Sequence, residues 1–373
     1  HPDVYVDIRI PNEFQTYGKI NIGITAGIET TAVSQAWIDG CNKMDLIIVP
    51  SEHAKKGFID TVYEKLQNTP DGKQQKVGEF RLEKPMEVLF EGANENLYKS
   101  IDDVSLNLVD DIKEDFCFLH VGQWTQGGYG EDRKDIPRAI KLFLETFADR
   151  TAPPALVIKT SGATFSTLDK ENCLKRLKQI KSSFPSDVKL PNIYFIHGNL
   201  STEEMNELYN HTKIKCFYLL THGEGFGRPL LEATMTGLPV ITTGWSGQLD
   251  FLDIENSMLL PGKLEKIPKS MVWEDILIPE SQWMVSDENA LYHAFNHSFL
   301  NHNEFKRKSN NLMEINRNKF TLDKMTEKLD EIMENYMKDV PQQVGLNLPK
   351  LKKSNKKEPK VELPKLKKIT ETV

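Results

Sequence analysis

Residues 221–233 read Thr221-His222-Gly223-Glu224-Gly225-Phe226-Gly227-Arg228-Pro229-Leu230-Leu231-Glu232-Ala233. The apolar run just before them, Cys216-Phe217-Tyr218-Leu219-Leu220, predicts a strand. Three glycines then fall within five residues, Pro229 stands near the first position of a helix, and Gly237 is placed to end that helix. The pattern predicts a strand, a tight glycine turn and the start of a helix.

Unpaired backbone amides are expected at the start of this helix, on Arg228, Leu230 and Leu231. Because the helix dipole is positive there, the sequence predicts a site for a phosphate or diphosphate. A dinucleotide fingerprint starting at Gly225 would require glycine where Leu230 stands, so that type of site is disfavoured. The sequence also contains no Gly-Lys-Ser/Thr phosphate loop.

Glu224 and Glu232 lie eight residues apart, one on the turn and one just past the first helical turn. Carboxylates repel phosphate, so the hydroxyl groups of a sugar or a ribose are their expected partners. The alternative is structural: Glu224 is then a solvated loop residue, and Glu232 complements the helix dipole.

Short β-rich runs alternate with amphipathic helices along most of the chain, which predicts α/β architecture with parallel sheets. A helix is predicted after Asp135, and Ser201 with Glu204 forms a capping box. The expected strands of a complete doubly wound unit lie near residues 116–121, 155–158, 193–196, 216–220 and 239–242. A shorter first series contains strands near residues 4–10, 20–24 and 45–49, with Ser51 as a helix cap, and ends near residues 88–92.

Composition excludes several classes of protein. The chain has 373 residues, 39% hydrophobic and 27% charged, which excludes collagen, coiled coil and wholesale disorder. No run approaches 18 apolar residues, so a cytoplasmic location is expected. His1 in place of an initiator Met indicates processing or a fragment. The four distant cysteines predict reduced, buried thiols rather than a zinc site or disulfides.

Residues 339–373 differ from the rest of the chain. The motif Leu348-Pro349-Lys350-Leu351-Lys352-Lys353 recurs at residues 363–368, and the segment has no aromatic residue. We expect a disordered basic tail that aids solubility, with a weak contact to a membrane surface as the alternative. Because the net charge of −7 includes this basic tail, the rest of the chain is more acidic still and no nucleic-acid partner is expected.

The segment from Glu224 to Glu232 resembles the Glu-x7-Glu signature of retaining glycosyltransferases of the GT-B fold, specifically glycosyltransferase family 4, the "group 1" transferases. The similarity extends over residues 116–251, and more weakly over residues 45–51 and 91–92. It implies two Rossmann-like domains facing a cleft, with an incomplete, N-terminally truncated first domain. The expected ranges are 1–93 for the partial acceptor-side domain, 94–338 for the nucleotide-sugar domain and 339–373 for the tail.

The resemblance also implies roles for individual residues. Glu224 faces the hydroxyls of the donor sugar, Glu232 accepts from the ribose, and the amides near Arg228 and Leu230 hold the diphosphate. Lys134 keeps a lysine role beside the diphosphate. The remaining donor-side residues are Gly122, the backbone of Gly225, Phe226 and Gly227, and the nucleobase turn of His197, Gly198 and Leu200.

The sequence departs from the family at Gln123, where the family usually has an arginine. Arg133 or Arg228 is the expected substitute, because a guanidinium stabilises the negative charge that develops on a leaving diphosphate. The alternative is that each arginine is a solvated surface charge. On the first domain, Thr25 and Glu29 follow a strand and are expected on the acceptor side, with helix capping as the alternative for Glu29.

The resemblance implies transfer of a hexose from a nucleotide diphosphate sugar to an acceptor hydroxyl, with retention at the anomeric carbon. No metal and no cofactor besides the donor substrate are expected, and the acceptor is a glycan, a lipid or a protein. Two other classes stay open: an epimerase or phosphorylase of the same fold, and a nucleotide-sugar-binding protein without turnover.

Overall fold

The structure is a computed structural model that describes residues 2–69, 73–125 and 128–338. The predicted basic tail, residues 339–373, lies outside the described residues.

The first part of the chain forms six strands and two helices. In chain order they are β1 (Val4–Ile8), β2 (Ile20–Ile24), α1 (Gln35–Lys43), β3 (Leu46–Val49), α2 (Glu52–Asp60), β4 (Tyr63–Asn68), β5 (Gln74–Phe80) and β6 (Met86–Val88). Strands β1, β2, β3 and β6 form a parallel sheet in that order. Strands β4 and β5 form an antiparallel hairpin that the sequence analysis did not identify.

The second part contains a doubly wound unit. Its elements are β7 (Cys117–Gln123), α3 (Ile136–Phe147), β8 (Ala155–Ser161), α4 (Thr167–Ser182), β9 (Ile193–Ile196), α5 (Thr202–Asn210), β10 (Ile214–Leu219), α6 (Arg228–Thr234), β11 (Val240–Thr243) and β12 (Met258–Leu260). The six strands form a sheet of order β12-β11-β10-β7-β8-β9, and every pairing is parallel. The strand order reverses between β7 and β10, and ligands of such sheets bind at the carboxyl ends beside this switch point.

An antiparallel hairpin and three helices complete the described chain. They are β13 (Gly262–Lys266), β14 (Gln282–Ser286), α7 (Glu288–Leu300), α8 (His302–Lys319) and α9 (Leu322–Met337). We call residues 262–286 the crossing hairpin because they pass from the second unit to the first. Trp283, on its second strand, is buried in the same apolar core as Trp37 and Phe58 of the first unit.

Helix α9 also returns to the first unit. Its Ile332 is buried with Ile22, Leu46 and Ile48 on one face of the first sheet. The crossing hairpin and α9 belong to the predicted range 94–338, yet both pack against the first unit. Burial of these apolar side chains is the main contribution that holds the two units together.

Local capping signals in the sequence are confirmed at two helices and corrected at one. The Ser51 side chain accepts the Ala54 amide at 3.1 Å, and Ser201 and Glu204 form the reciprocal capping box of α5. Asp135 stands at the N-cap of α3 in a left-handed conformation, but its side chain does not cap the helix. Asp132 accepts the Ile136 amide at 3.2 Å instead.

Within the described ranges, none of the helices has the length and apolar character that crossing a membrane requires. Cys41, Cys117, Cys173 and Cys216 are buried and form no disulfide, as the sequence predicts.

Candidate functional site

The turn after β10 brings the start of α6 to the switch point. Gly227 adopts φ +100, a left-handed conformation that glycine takes without strain. Helix α6 begins at Arg228, and the amides of Leu230 and Leu231 both donate to the Gly227 carbonyl, at 3.0 and 3.2 Å. This corrects the expectation that these two amides are unpaired, because the seven-residue helix uses them in its own first turn.

The side chains of Phe226 and Leu230 are buried in the core of the second unit. Phe226 packs against Phe251 with ring centroids 5.1 Å apart. Only backbone atoms of Phe226 can therefore line a ligand, as the sequence analysis expects. Leu230 has neither a free amide nor an accessible side chain, so its predicted contact with a diphosphate is not supported.

The glycine turn lies directly against the first unit. Ser51 Oγ, at the start of α2, donates to the Gly225 carbonyl at 2.6 Å. A Cβ atom added to Gly225 would lie 2.7 Å from the Ala26 carbonyl oxygen, and one added to Gly223 would lie 2.5 Å from that of Glu29. The carboxyl ends of the two parallel sheets thus face each other across a narrow gap, as the predicted two-domain cleft requires.

A salt bridge joins the two loops that flank the switch point. Lys134 Nζ, on the β7–α3 loop, lies 2.5 Å from Glu224 Oε1, and the two side chains are 20% and 11% exposed. The turn after β11 fixes the Glu224 backbone, since its amide donates to Ser246 Oγ at 2.8 Å and its carbonyl accepts the Gly247 amide at 3.0 Å. The sequence predicted both charged partners, and the structure brings them together.

A second ion pair lies beside the first and crosses between the units. Arg133 pairs with Glu29, whose carboxylate is buried. The negative charge of Glu224 also raises the pKa of Arg133. The neighbouring cations Arg133 and Lys134 therefore belong to one charged cluster with Glu29 and Glu224. Thr25 is buried at the end of β2, where its amide continues the sheet by donating to Ile48 at 3.1 Å. Of the two predicted acceptor-side residues, only Glu29 reaches the charged cluster.

A group of carboxylates surrounds Arg228. Its guanidinium lies 3.2 Å from Glu232, one turn along α6, and is 59% exposed. Burial raises the pKa of Glu232, whereas Arg228 and the hydroxyl of Tyr98 lower it. Burial also raises the pKa of Glu91, with Glu224 adding to the effect and Arg228 opposing it. Glu91 was not predicted as a site residue, although it lies in the segment of residues 88–92 that ends the first series.

A cavity of about 350 Å³ opens next to these acids. Glu91, Tyr98, Thr202 and Arg228 are among the residues that line it. The cavity therefore lies between Glu91 and Arg228 on one side and Thr202 on the other. Thr202 is the first residue of α5, and this helix begins just after the predicted nucleobase turn.

The other predicted donor residues form a separate group at the ends of β7 and β9. Gln123 donates to the Gly162 carbonyl at 2.7 Å, and the Gly162 amide donates to Asp169 at 2.8 Å. His197 lies 3.0 Å from the same Asp169 carboxylate. Gln123 and His197 are thus bridged through the β8–α4 loop. The other predicted residues of this group have three different environments. Gly122 lies close to the buried His120 side chain, Gly198 has a positive φ of +137, and Leu200 packs on the core of the second unit.

A buried network under the cluster was missed by the sequence analysis. Arg138 lies 2.6 Å from Asp135 and 3.1 Å from Glu288, and it also donates to the Ser286 carbonyl at the end of the crossing hairpin. Its position among apolar residues of α3 is the signal that could have identified it. His222, two residues before Glu224 in the sequence, stacks on Trp283 with ring centroids 4.2 Å apart. The site is therefore attached to the crossing hairpin on two sides.

In residues 2–69, 73–125 and 128–338, His, Cys, Asp and Glu side chains form no group of three that could hold a metal ion.

A family model described as "Glycosyl transferases group 1" matches residues 175–256, the segment that runs through β9, β10 and α6 to β11. The curated proteins contain no sequence that matches the chain.

Solved structures match most of the chain at low identity. Sucrose-phosphate synthase from Thermosynechococcus elongatus has a TM-score of 0.58 and 14% identity, over 86% of this chain and 68% of that one. Anabaena Alr3699/HepE in complex with UDP-glucose has a TM-score of 0.53 and 13% identity, over 85% and 72%. A UDP-forming trehalose-phosphate synthase from Burkholderia xenovorans has a TM-score of 0.56 and 10% identity, over 85% and 68%. These similarities confirm the predicted GT-B fold.

Proposed function

We propose that the chain is a glycosyltransferase that moves a hexose from a nucleotide diphosphate sugar to an acceptor hydroxyl, with retention at the anomeric carbon. The observation that carries the proposal is the salt bridge between Lys134 and Glu224 at the switch point, in a cleft closed by the first unit. The match of residues 175–256 to group 1 glycosyl transferases supports it.

The carboxylate of Glu224 is suited to accept hydrogen bonds from sugar hydroxyls, because its backbone is fixed and its side chain faces a cation. Lys134 and Arg133 are placed to neutralise the diphosphate beside it. Burial raises the pKa of Glu232, yet Arg228 favours its charged form, which accepts hydrogen bonds from both ribose hydroxyls. The 350 Å³ cavity beside Glu91 and Tyr98 then receives the nucleoside.

In the proposed reaction, the bond between the anomeric carbon and the β-phosphate oxygen breaks. The acceptor oxygen bonds to the same face of the anomeric carbon, and its proton passes to the leaving phosphate oxygen. Lys134 and Arg133 stabilise the charge that grows on this oxygen, so the reaction needs no metal ion and no protein nucleophile. Placement in the cytoplasm and a glycan, lipid or protein acceptor are part of the same proposal.

The test is a panel of UDP-, GDP- and ADP-sugars, with binding measured by thermal shift and products by mass spectrometry. UDP-sugars come first because the similar HepE structure holds UDP-glucose. We expect one donor to raise the melting temperature and to lose its sugar to added acceptor, and Glu224→Gln to lower turnover about 100-fold or more. Glu304→Gln, which alters an exposed salt bridge on α8, is the matched control.

Two results would contradict the proposal and identify a different class of protein. Nucleotide-sugar binding without sugar release identifies a binding protein without turnover. A rearranged sugar that stays attached to its nucleotide identifies an epimerase.

A further inference from the structure

A cavity of about 640 Å³ lies between the crossing hairpin and the doubly wound unit. Met271, Trp273 and Leu277 of the crossing hairpin line one side. Arg133, Asp169, Asn172 and Arg176, with the indole of Trp124, line the other. This size lies within the range of about 300–1,000 Å³ that is usual for small-molecule sites.

Trp273 is the most unusual residue of this cavity. Its side chain is 59% exposed, whereas Trp37, Trp124 and Trp283 are at most 2% exposed. The backbone around Trp273 is nonetheless fixed, because its carbonyl accepts the amides of Ile276 and Leu277, at 2.9 and 2.8 Å, and its amide donates back to Leu277 at 3.1 Å. A rigid turn thus presents an exposed indole at the cavity, and such a surface packs well against the apolar face of a pyranose ring.

Charges of both signs line the cavity or lie directly behind it. Arg133 is paired with Glu29, and Asp169 with His197. Arg176 donates to the Thr125 carbonyl at 2.5 Å and lies over the Trp124 ring. The cations Arg133 and Arg176 are offset by the carboxylates of Glu29 and Asp169, so a neutral ligand fits this lining better than an anion or a cation does.

The polar side chains that line the cavity keep some hydrogen-bonding groups unused. A guanidinium has five N–H donors, of which the contacts named for Arg176 use only part. The remaining donors of Arg176, together with the Asp169 carboxylate and the exposed Asn172 amide, match a ligand with many hydroxyl groups.

The cavity borders the proposed donor site through Gln123 and Arg133, which both line it. The neighbour of Arg133 in the sequence, Lys134, pairs with Glu224. Tyr98 and Arg228 line the other cavity, which we assign to the nucleoside. We propose that the 640 Å³ cavity binds a neutral oligosaccharide acceptor, with a sugar ring stacked on Trp273. The acceptor role rests on the proposed function, whereas the saccharide site itself does not.

The first experiment measures glycan binding without any donor. The full chain is applied to an array of neutral and acidic glycans, and the neutral hits are titrated while acrylamide quenches tryptophan fluorescence. We expect neutral glycans to bind and to protect an indole from acrylamide, an effect that is absent in Trp273→Phe. Trp273→Ala is expected to weaken binding about tenfold, the effect of losing one aromatic contact. Leu264→Ala, an exposed position on β13, is the control for the hairpin fold.

Binding of acidic glycans only, or of no glycan, overturns the inference. Protection of Trp273 by UDP alone also overturns it, because the cavity would then be a nucleobase site.

The second experiment uses the bound glycan as acceptor in the transfer assay. We expect Trp273→Ala to raise the acceptor KM about tenfold with an unchanged donor KM. If glycans bind but no donor loses its sugar, the proposed function fails while the saccharide site stands. If transfer proceeds with an unchanged acceptor KM in Trp273→Ala, the acceptor role fails alone.

Discussion

Lys134 and Glu224 form a 2.5 Å salt bridge between the loops that follow β7 and β10, the two strands at which the order of the second sheet reverses. Because both side chains are largely buried, the pair acts in a site that excludes much of the water, where a charge has more effect than at the surface.

We expect Lys134→Ala to lower kcat about 100-fold or more, because the variant lacks a preorganised charge beside the leaving group. Glu224→Gln should lower kcat similarly, and the double variant should lose less than the product of the two effects, since the residues act together. Nucleotide release in steady state measures all three. Lys141→Ala, which breaks a more exposed pair with Glu145 on α3, is the control. Strictly multiplicative losses would show that the two side chains act independently.

Arg133 and Arg228 are expected to affect different kinetic constants. Arg133 lies in the cluster of Lys134 and Glu224, so Arg133→Ala should lower kcat. Arg228 is more exposed and pairs with Glu232, the residue assigned to the ribose, so Arg228→Ala should chiefly raise the donor KM. Initial rates over a range of donor concentration separate the two constants. Unchanged rates in both variants would mean that neither guanidinium replaces the positive charge that is missing at Gln123.

The turn around Glu224 could be predicted from sequence because its signals are local. Glycines, Pro229 and the apolar run before them fix a strand, a turn and a helix within about twenty residues. Local signals did not predict the hydrogen bonds in the first turn of α6. The helix begins at Arg228, and the amides of Leu230 and Leu231 donate to the Gly227 carbonyl within the helix.

The crossing hairpin could not be assigned from sequence because its contacts are distant along the chain. Trp283 packs with Trp37 and Phe58, more than 200 positions earlier, and the Gln282 backbone bonds to Thr31. Periodicity identifies an apolar face but not its partner. For the same reason the sequence indicated Glu29 and Arg133 as separate candidates, and only the structure shows that they pair with each other.

The narrow gap between the units gives a prediction at Gly225. Its φ is not in the left-handed region, so Gly225→Ala reports contact rather than backbone strain. The added Cβ would lie 2.7 Å from the Ala26 carbonyl, and we expect a loss of about 1–3 kcal/mol in the free energy of unfolding. Gly57→Ala in α2, where the nearest atom outside the helix lies 3.8 Å away, should instead stabilise by about 0.5–1 kcal/mol. Urea denaturation measures the free energy of unfolding of both variants. A change of the same sign in both would contradict the close approach of Gly225 to Ala26.

Asp132 gives the stability of the protein a defined pH dependence. Burial raises the pKa of this carboxyl from its ordinary 3.8 to about 6, although the Ile136 amide and the Thr125 hydroxyl oppose the shift. The folded state therefore binds the proton more tightly than the unfolded state does. This contribution to stability is complete below pH 3.8 and is lost as the pH rises through about 6.

We expect Asp132→Asn to remove that loss, because the amide does not titrate but still offers an acceptor to Ile136. The difference in unfolding free energy between Asp132→Asn and wild type should shift in favour of the variant by up to about 3 kcal/mol between pH 4 and pH 8. Urea titrations at each pH give this difference, and other titrating groups largely cancel in it. Parallel stability profiles for the two proteins would show that Asp132 is already ionised at pH 4 in the folded state.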